Sequence, residues 1–167
     1  VIFGGKDGYI YSIDANSGRQ VWKFFAKAEV LSHIEVSSGS VYVLSGANVL
    51  YALNADTGKQ KWVYSRVQRT RFSVRGGSAV LSRGQAIYLG FSDGFFVSLN
   101  ARDGSLRWER RLGTNGRLQD VDMSPVADTS NLYVGSYDGS LYALGLKDGA
   151  IRWRVDFGGY AKPLLDG

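Results

Sequence analysis

The sequence predicts an all-β fold, a β-propeller of four-stranded antiparallel blades with tryptophan-docking repeats, on three observations. One motif recurs four times, every copy ends on a tryptophan, and the residues between tryptophans form short alternating apolar runs divided by glycine-bearing turns. The copies are "YSIDANSGRQVW", "YALNADTGKQKW", "VSLNARDGSLRW" and "YALGLKDGAIRW". Each has a small residue, then Asp, Asn or Gly two positions on, a glycine four later and a tryptophan four after that. The tryptophans Trp22, Trp62, Trp108 and Trp153 are 40, 46 and 45 residues apart, and Gly18, Gly58, Gly104 and Gly149 keep step with them.

The elements of one unit follow in order. A leading strand opens it, legible in "VLSHIEVSSG", "GGSAVLSRG" and "DMSPVADTS". The third unit then reads as strand "IYLG", tight turn "SDG", strand "FFVSLN", turn "ARDG" and outer strand "LRWERRL". The pairs Asp7/Gly8, Asp93/Gly94 and Asp138/Gly139 suit turns that require positive φ. The second unit departs here, with "GANV" where the Asp-Gly pair should stand.

Four antiparallel strands per 40 to 46 residues make a propeller blade. A single blade cannot bury both of its faces, so neighbours must stack around an axis. A tryptophan at the same place in every blade is then a wedge between neighbours, able to bury on the order of 150 Å² or more. The chain is expected to form one propeller segment over 1–167, with blades at about 1–28, 29–67, 68–113 and 114–158.

The first unit lacks a leading strand, while "GYAKPLLDG" (159–167) reads as a leading strand for a further or closing blade. Two architectures satisfy this. The ends meet in a small four-bladed ring, or the segment is half of an eight-bladed one whose open edges pair with other copies. The strand-like start and abrupt end read as a piece of a longer protein.

Composition excludes several function classes. With 44 % hydrophobic and 21 % charged residues the chain can build a packed core, and the absence of cysteine excludes disulfides, thiolate zinc sites and a cysteine nucleophile within it. The net charge of +5 is spread over "KQKW", "LRWERR" and "IRWR", at one position per blade, which fits solvated outer strands and not a nucleic-acid face. His33 is the sole histidine. With Glu35 it would offer a metal only two ligands, so no metal or other cofactor is expected.

The four repeats resemble the A-x-D-x-x-x-G-x-x-x-W docking repeat of the quinoprotein-like (PQQ-repeat) propellers, a likeness specific for fold and not for function. Within that group, "RFSVRGGSAV" and "RLQDVDMSPV" are similar to paired inter-blade stretches of the BamB family, lipoprotein scaffolds of the outer-membrane β-barrel assembly (BAM) machinery. Phe72 and Val74 stand where leucine is the expectation.

The resemblance implies a non-catalytic scaffold at the periplasmic face of the outer membrane, lipid-anchored in its full-length form. It would bind a POTRA domain of BamA through Phe72, Val74, Arg75, Asp120 and Asp122, and unfolded outer-membrane proteins as further partners. In extended chain Phe72 and Val74 share one face, and Asp120 and Asp122 share another across Val121. The readings kept beside this one are a fragment of a quinone-dependent dehydrogenase and a generic propeller interaction module. The dehydrogenase would need calcium ligands, a catalytic Asp and commonly a vicinal cysteine pair.

Overall fold

The computed structural model describes residues 1–66, 78–112, 121, 124–136, 139–156 and 163–165. They form fifteen strands in four antiparallel meanders. The first blade has three strands, β1 (Ile2–Gly4), β2 (Tyr9–Ile13) and β3 (Gln20–Phe25). The second runs β4 (Glu35–Ser37), β5 (Ser40–Leu44), β6 (Val49–Asn54) and β7 (Gln60–Ser65). The third runs β8 (Leu81–Arg83), β9 (Ala86–Gly90), β10 (Phe95–Asn100) and β11 (Leu106–Arg111). The fourth runs β12 (Val126–Ala127), β13 (Asn131–Gly135), β14 (Leu141–Gly145) and β15 (Ile151–Val155). The leading strands are thus the short β4, β8 and β12, and among the described residues the first blade is without one.

Register explains the small residue of the repeat. It faces the tryptophan across the last strand pair: Ser12 opposite Trp22, Ala52 opposite Trp62, Ser98 opposite Trp108 and Ala143 opposite Trp153. In the last three blades its other neighbour is a tyrosine, Tyr42, Tyr88 or Tyr133. A small side chain between two rings lets them close over it, with tyrosine and tryptophan centroids 5.8, 6.0 and 5.7 Å apart. A bulge immediately after the small residue re-aims the strand into its turn in every blade.

The hairpin that enters the next-to-last strand of each blade uses one backbone pattern. Gly8, Gly94 and Gly139 adopt φ of 81°, 85° and 85° there. In the second blade Asn48 takes that place at φ 58°, a conformation asparagine tolerates better than most residues. Its N–H closes the turn on Ser45 O at 3.0 Å, and its side-chain amide donates to Ser92 Oγ of the next blade. The "GANV" departure therefore keeps the turn and adds a link between blades.

The core lies between the blades. One apolar cluster joins the first and second blades around Ile10, Trp22, Val41 and Leu53. Another joins the second and third around Leu44, Trp62, Leu89 and Phe91, and a further one joins the third and fourth around Phe96, Val121, Leu132 and Val134. Each interface repeats a lock. Trp22 lies on Gly58, Trp62 on Gly104 and Trp108 on Gly149, and a Cβ added to any of these glycines would stand 2.4 to 2.6 Å from the indole. Only a residue without Cβ admits the ring so close. The indole Nε1–H donates to the carbonyl three residues before that glycine: Ala55 O at 2.9 Å, Ala101 O at 3.0 Å and Leu146 O at 3.1 Å.

The locks also settle which way the ends face. Nothing lies within 4 Å of where a Gly18 side chain would be, and Trp153 is 43 % exposed. Among the described residues, therefore, Trp153 does not lie on Gly18, and the fourth blade does not close on the first through this lock.

Candidate partner-binding face

Phe72, Val74, Arg75, Asp120 and Asp122 lie outside the described residues, whereas residues bordering the two stretches are described. Arg66 immediately follows β7 and precedes the first stretch. Its side chain crosses to the third blade, where Nε donates to Asp93 Oδ2 at 2.7 Å and Nη1 to Glu109 Oε2 at 2.6 Å. The guanidinium carbon stands 4.3 Å from the centre of the Phe95 ring, in cation–π contact.

Both Arg66 and Asp93 are largely buried, with 16 % and 15 % of their side-chain surface exposed. Burial acts against the charge on Arg66. The hydrogen bonds to Asp93 and Glu109 outweigh it and hold the guanidinium pKa above its ordinary value. Asp93 also accepts the N–H of Phe95 at 3.2 Å, so one carboxylate shapes the turn and grips the arginine at once.

Val121 sits within the second stretch, between the two acids. Its side chain is fully buried, and its N–H donates to Phe91 O at 3.3 Å. Its carbonyl approaches Gly90 so closely that a Cβ there would be 2.1 Å from it, which reserves position 90 for glycine. Phe91 O accepts from Gly94 N as well, at 3.2 Å, within the turn. Arg66 and Val121, 55 positions apart in sequence, are therefore both rooted on the few residues from Gly90 to Phe95.

Sequence reading did not single out Arg66. It is one of several basic residues in "SRVQRTR", and its acids belong to another repeat, so no local pattern marks the pairing. Glu35 Oε1, considered above beside His33, accepts the N–H of Ser82 at 3.3 Å and ties the second blade to the third. Among the described residues no three His, Cys, Asp or Glu side chains group as metal ligands. A cleft of about 740 Å³ opens between these two blades, lined by Ser38, Tyr42, Lys61, Asn100, Ala101 and Arg102 among others. Its Lys61 Nζ is engaged with Gly39 O at 3.1 Å and Ser40 Oγ at 2.7 Å.

Comparison with known proteins adds a further finding. A family model described as outer membrane protein assembly factor BamB matches residues 1–167. The BamB of Shewanella oneidensis is 32 % identical over 139 residues, which is 79 % of this chain and 35 % of that protein. A quinoprotein ethanol dehydrogenase of Pseudomonas aeruginosa is 35 % identical over 86 residues, 48 % of this chain and 14 % of the enzyme. The crystal structure of BamB from Moraxella catarrhalis superposes with a TM-score of 0.87 at 25 % identity, over 96 % of this chain and 50 % of that one. The chain spans about a third of the length of the curated BamB relatives it matches, 35 % and 33 % in two of them.

Proposed function

Because the chain belongs to the BamB family of outer membrane protein assembly factors, we propose that it acts as a non-catalytic scaffold of the BAM complex, binding a POTRA domain of BamA. The surface would be made by Phe72, Val74, Arg75, Asp120 and Asp122, and the work would be done at the periplasmic face of the outer membrane. Unfolded outer-membrane proteins are its further proposed partners.

The observation that carries this reading is the common root of the two stretches. Arg66, which precedes the first stretch, and Val121, within the second, both seat on the β9–β10 turn and its approach, which supports a reading in which the two stretches share one base. A protein that works by display needs such a base, because a preorganised surface loses less entropy on binding. Alternation about Val121 requires that side chain to be buried for its two neighbours to serve a partner, and it is buried. A mixed patch of apolar side chains, an arginine and carboxylates is the chemistry that anchors protein partners.

The test is calorimetric titration of the chain with the POTRA domains of BamA, with Arg75→Glu and the pair Asp120→Arg, Asp122→Arg run beside it. Saturable binding that both variants abolish while remaining folded is expected. A folded chain that does not bind, or that binds equally well with Arg75→Glu, would overturn the assignment.

A further inference from the structure

The bulge after the small residue of the motif leaves one residue of each outer strand without a cross-strand partner: Val21, Lys61, Arg107 and Arg152, each directly before its tryptophan. A bulge re-aims the side chain it carries, and in the second blade Lys61 lines the cleft shared with the third. Arg102 lines the same cleft from the third blade, one residue after the Ala101 carbonyl that accepts from both Tyr42 and Trp62. The junction of the third and fourth blades repeats the arrangement. Arg107 is the bulge residue there, and Lys147 follows the Leu146 carbonyl that accepts from Tyr88 and Trp108. At the junction of the first and second blades the same two positions hold Val21 and Asp56, so the repeat does not itself require cations.

We propose that these two neighbouring junctions form one binding site for an acidic segment of a protein partner, held in extended conformation with one carboxylate at each. The pairing state of the cations carries the argument. Lys61, Arg102, Arg107 and Lys147 are all exposed. Among the described residues none of the four is in an ion pair, whereas Arg66, Arg152 and Arg154 each hold a carboxylate. Asp103, beside Arg102 in sequence, commits Oδ1 to the Ser105 N–H at 2.9 Å and the Ser105 hydroxyl at 2.6 Å. Lys61 Nζ is steadied by two neutral acceptors, Gly39 O and Ser40 Oγ, which leaves one of its N–H groups for a ligand. Two unneutralised cations facing one cleft call for an anion.

The rest of the lining favours a peptide over a bare ion or a lipid headgroup. Gln85 and Asn100 bring side-chain amides, which both donate to and accept from a main chain, and Tyr42 and Ala101 add apolar surface. Stacked sheets lie about 10 Å apart. An extended chain of polyproline type turns once in about three residues and rises about 3.1 Å with each, so acids three positions apart share a side and stand about 9 Å apart. Such a segment reaches both junctions.

The site stands at the other end of the strands from the residues that root the proposed POTRA surface. Ser38 of the β4–β5 turn lines the cleft, and Arg102 belongs to the β10–β11 turn, whereas Arg66 and Val121 seat on the β9–β10 turn and its approach. In an antiparallel meander these turns lie at opposite ends. The inference is therefore independent of the POTRA reading.

The experiment is fluorescence anisotropy of a dye-labelled, amidated heptapeptide with glutamate at its first, fourth and seventh positions and threonine elsewhere, titrated with the 167-residue chain at physiological ionic strength. Saturable binding is expected, weakened about tenfold by Lys61→Gln with Arg102→Gln, and likewise by Arg107→Gln with Lys147→Gln. Lys6→Gln with Lys23→Gln removes the same charge from the first blade and should leave the affinity unchanged, as should Arg75→Glu, while circular dichroism shows every variant folded. The absence of saturable binding overturns the proposal. Equal losses in all three double variants also overturn it, leaving only the general attraction of a basic chain. Phosphatidylglycerol vesicles are the second probe, and binding to them that depends on Lys61 and Arg102, in place of the peptide, assigns the cations to a membrane and overturns it as well.

Discussion

Trp62 lies against Gly104 so closely that a single added carbon on the glycine would stand 2.6 Å from its Cε3. The glycine is also at φ 74°, a conformation unfavourable for residues with a Cβ. Gly104→Ala should therefore both strain the turn and push the indole out of its seat, at a cost of about 3 kcal/mol. Urea unfolding checks it, and an unchanged midpoint would show that the lock yields without resistance.

Truncating the ring tests the same lock from the other side. Trp62→Ala should lower stability by about 3 to 5 kcal/mol and Trp108→Ala by about 3, since the first removes a buried ring, the second a partly buried one, and each an interblade hydrogen bond. Trp153→Ala should cost well under 1 kcal/mol in the dilute single chain, because its ring is already in contact with solvent. Equal losses at all three positions would refute the distinction between occupied and vacant locks.

Asn48 replaces a glycine in its turn and gains a bond to Ser92. Asn48→Gly keeps the backbone and loses only that bond, at about 1 kcal/mol. Asn48→Val adds a β-branched side chain at positive φ and should cost about 2 kcal/mol more. Thermal unfolding of the two variants side by side gives the comparison, and a reversed order would mean that the freedom of a glycine costs more here than the strain of a β-branched residue at positive φ.

Arg66 is held by Asp93 and Glu109 at 2.7 and 2.6 Å. A double-mutant cycle on Arg66→Met and Asp93→Asn should give a coupling of about 1 to 2 kcal/mol, above that of an exposed pair. If the common root steadies the partner surface, Arg66→Met should also weaken POTRA binding roughly tenfold while the far-UV circular dichroism is unchanged, about 1.4 kcal/mol of binding energy. Unaltered affinity would confine Arg66 to a role in stability.

The Asp128 carboxylate accepts the N–H groups of Ser130 and Asn131 and the Tyr133 hydroxyl, which together hold its pKa at about 2 against an ordinary 3.8. A carboxylate with a lowered folded pKa contributes its stabilisation above the unfolded pKa and loses it as pH falls through the folded one. The native chain should therefore lose stability between about pH 4 and pH 2 more steeply than Asp128→Asn. Melting temperatures measured across that window check the sign, and parallel curves would contradict it.

Legibility followed the range of the interactions. The blades and their turns were readable because each depends on residues within one repeat, and the wedging tryptophans because every copy carries one at the same place. The small residue of the motif was visible as a regularity, but its reason, a place between Tyr42 and Trp62, appears only with the cross-strand register. Asn48 was visible as an irregularity, and only its φ shows that the turn survives. Arg66 was not readable, since its partners lie 27 and 43 residues away in another blade. The stretches with Phe72, Val74, Arg75, Asp120 and Asp122 stood out through family likeness, which a physical reading of spacing alone does not supply.

Because the apolar clusters among the described residues each join one blade to its sequence neighbour, the blades behave as a one-dimensional array. Its free energy is a sum of blade terms and nearest-neighbour terms, and an end blade has one neighbour term where an inner blade has two. Opening should then proceed inward from the termini. Amide hydrogens of β2 and β14 should exchange ahead of those of β6 and β10, even though all four are central strands of similar length.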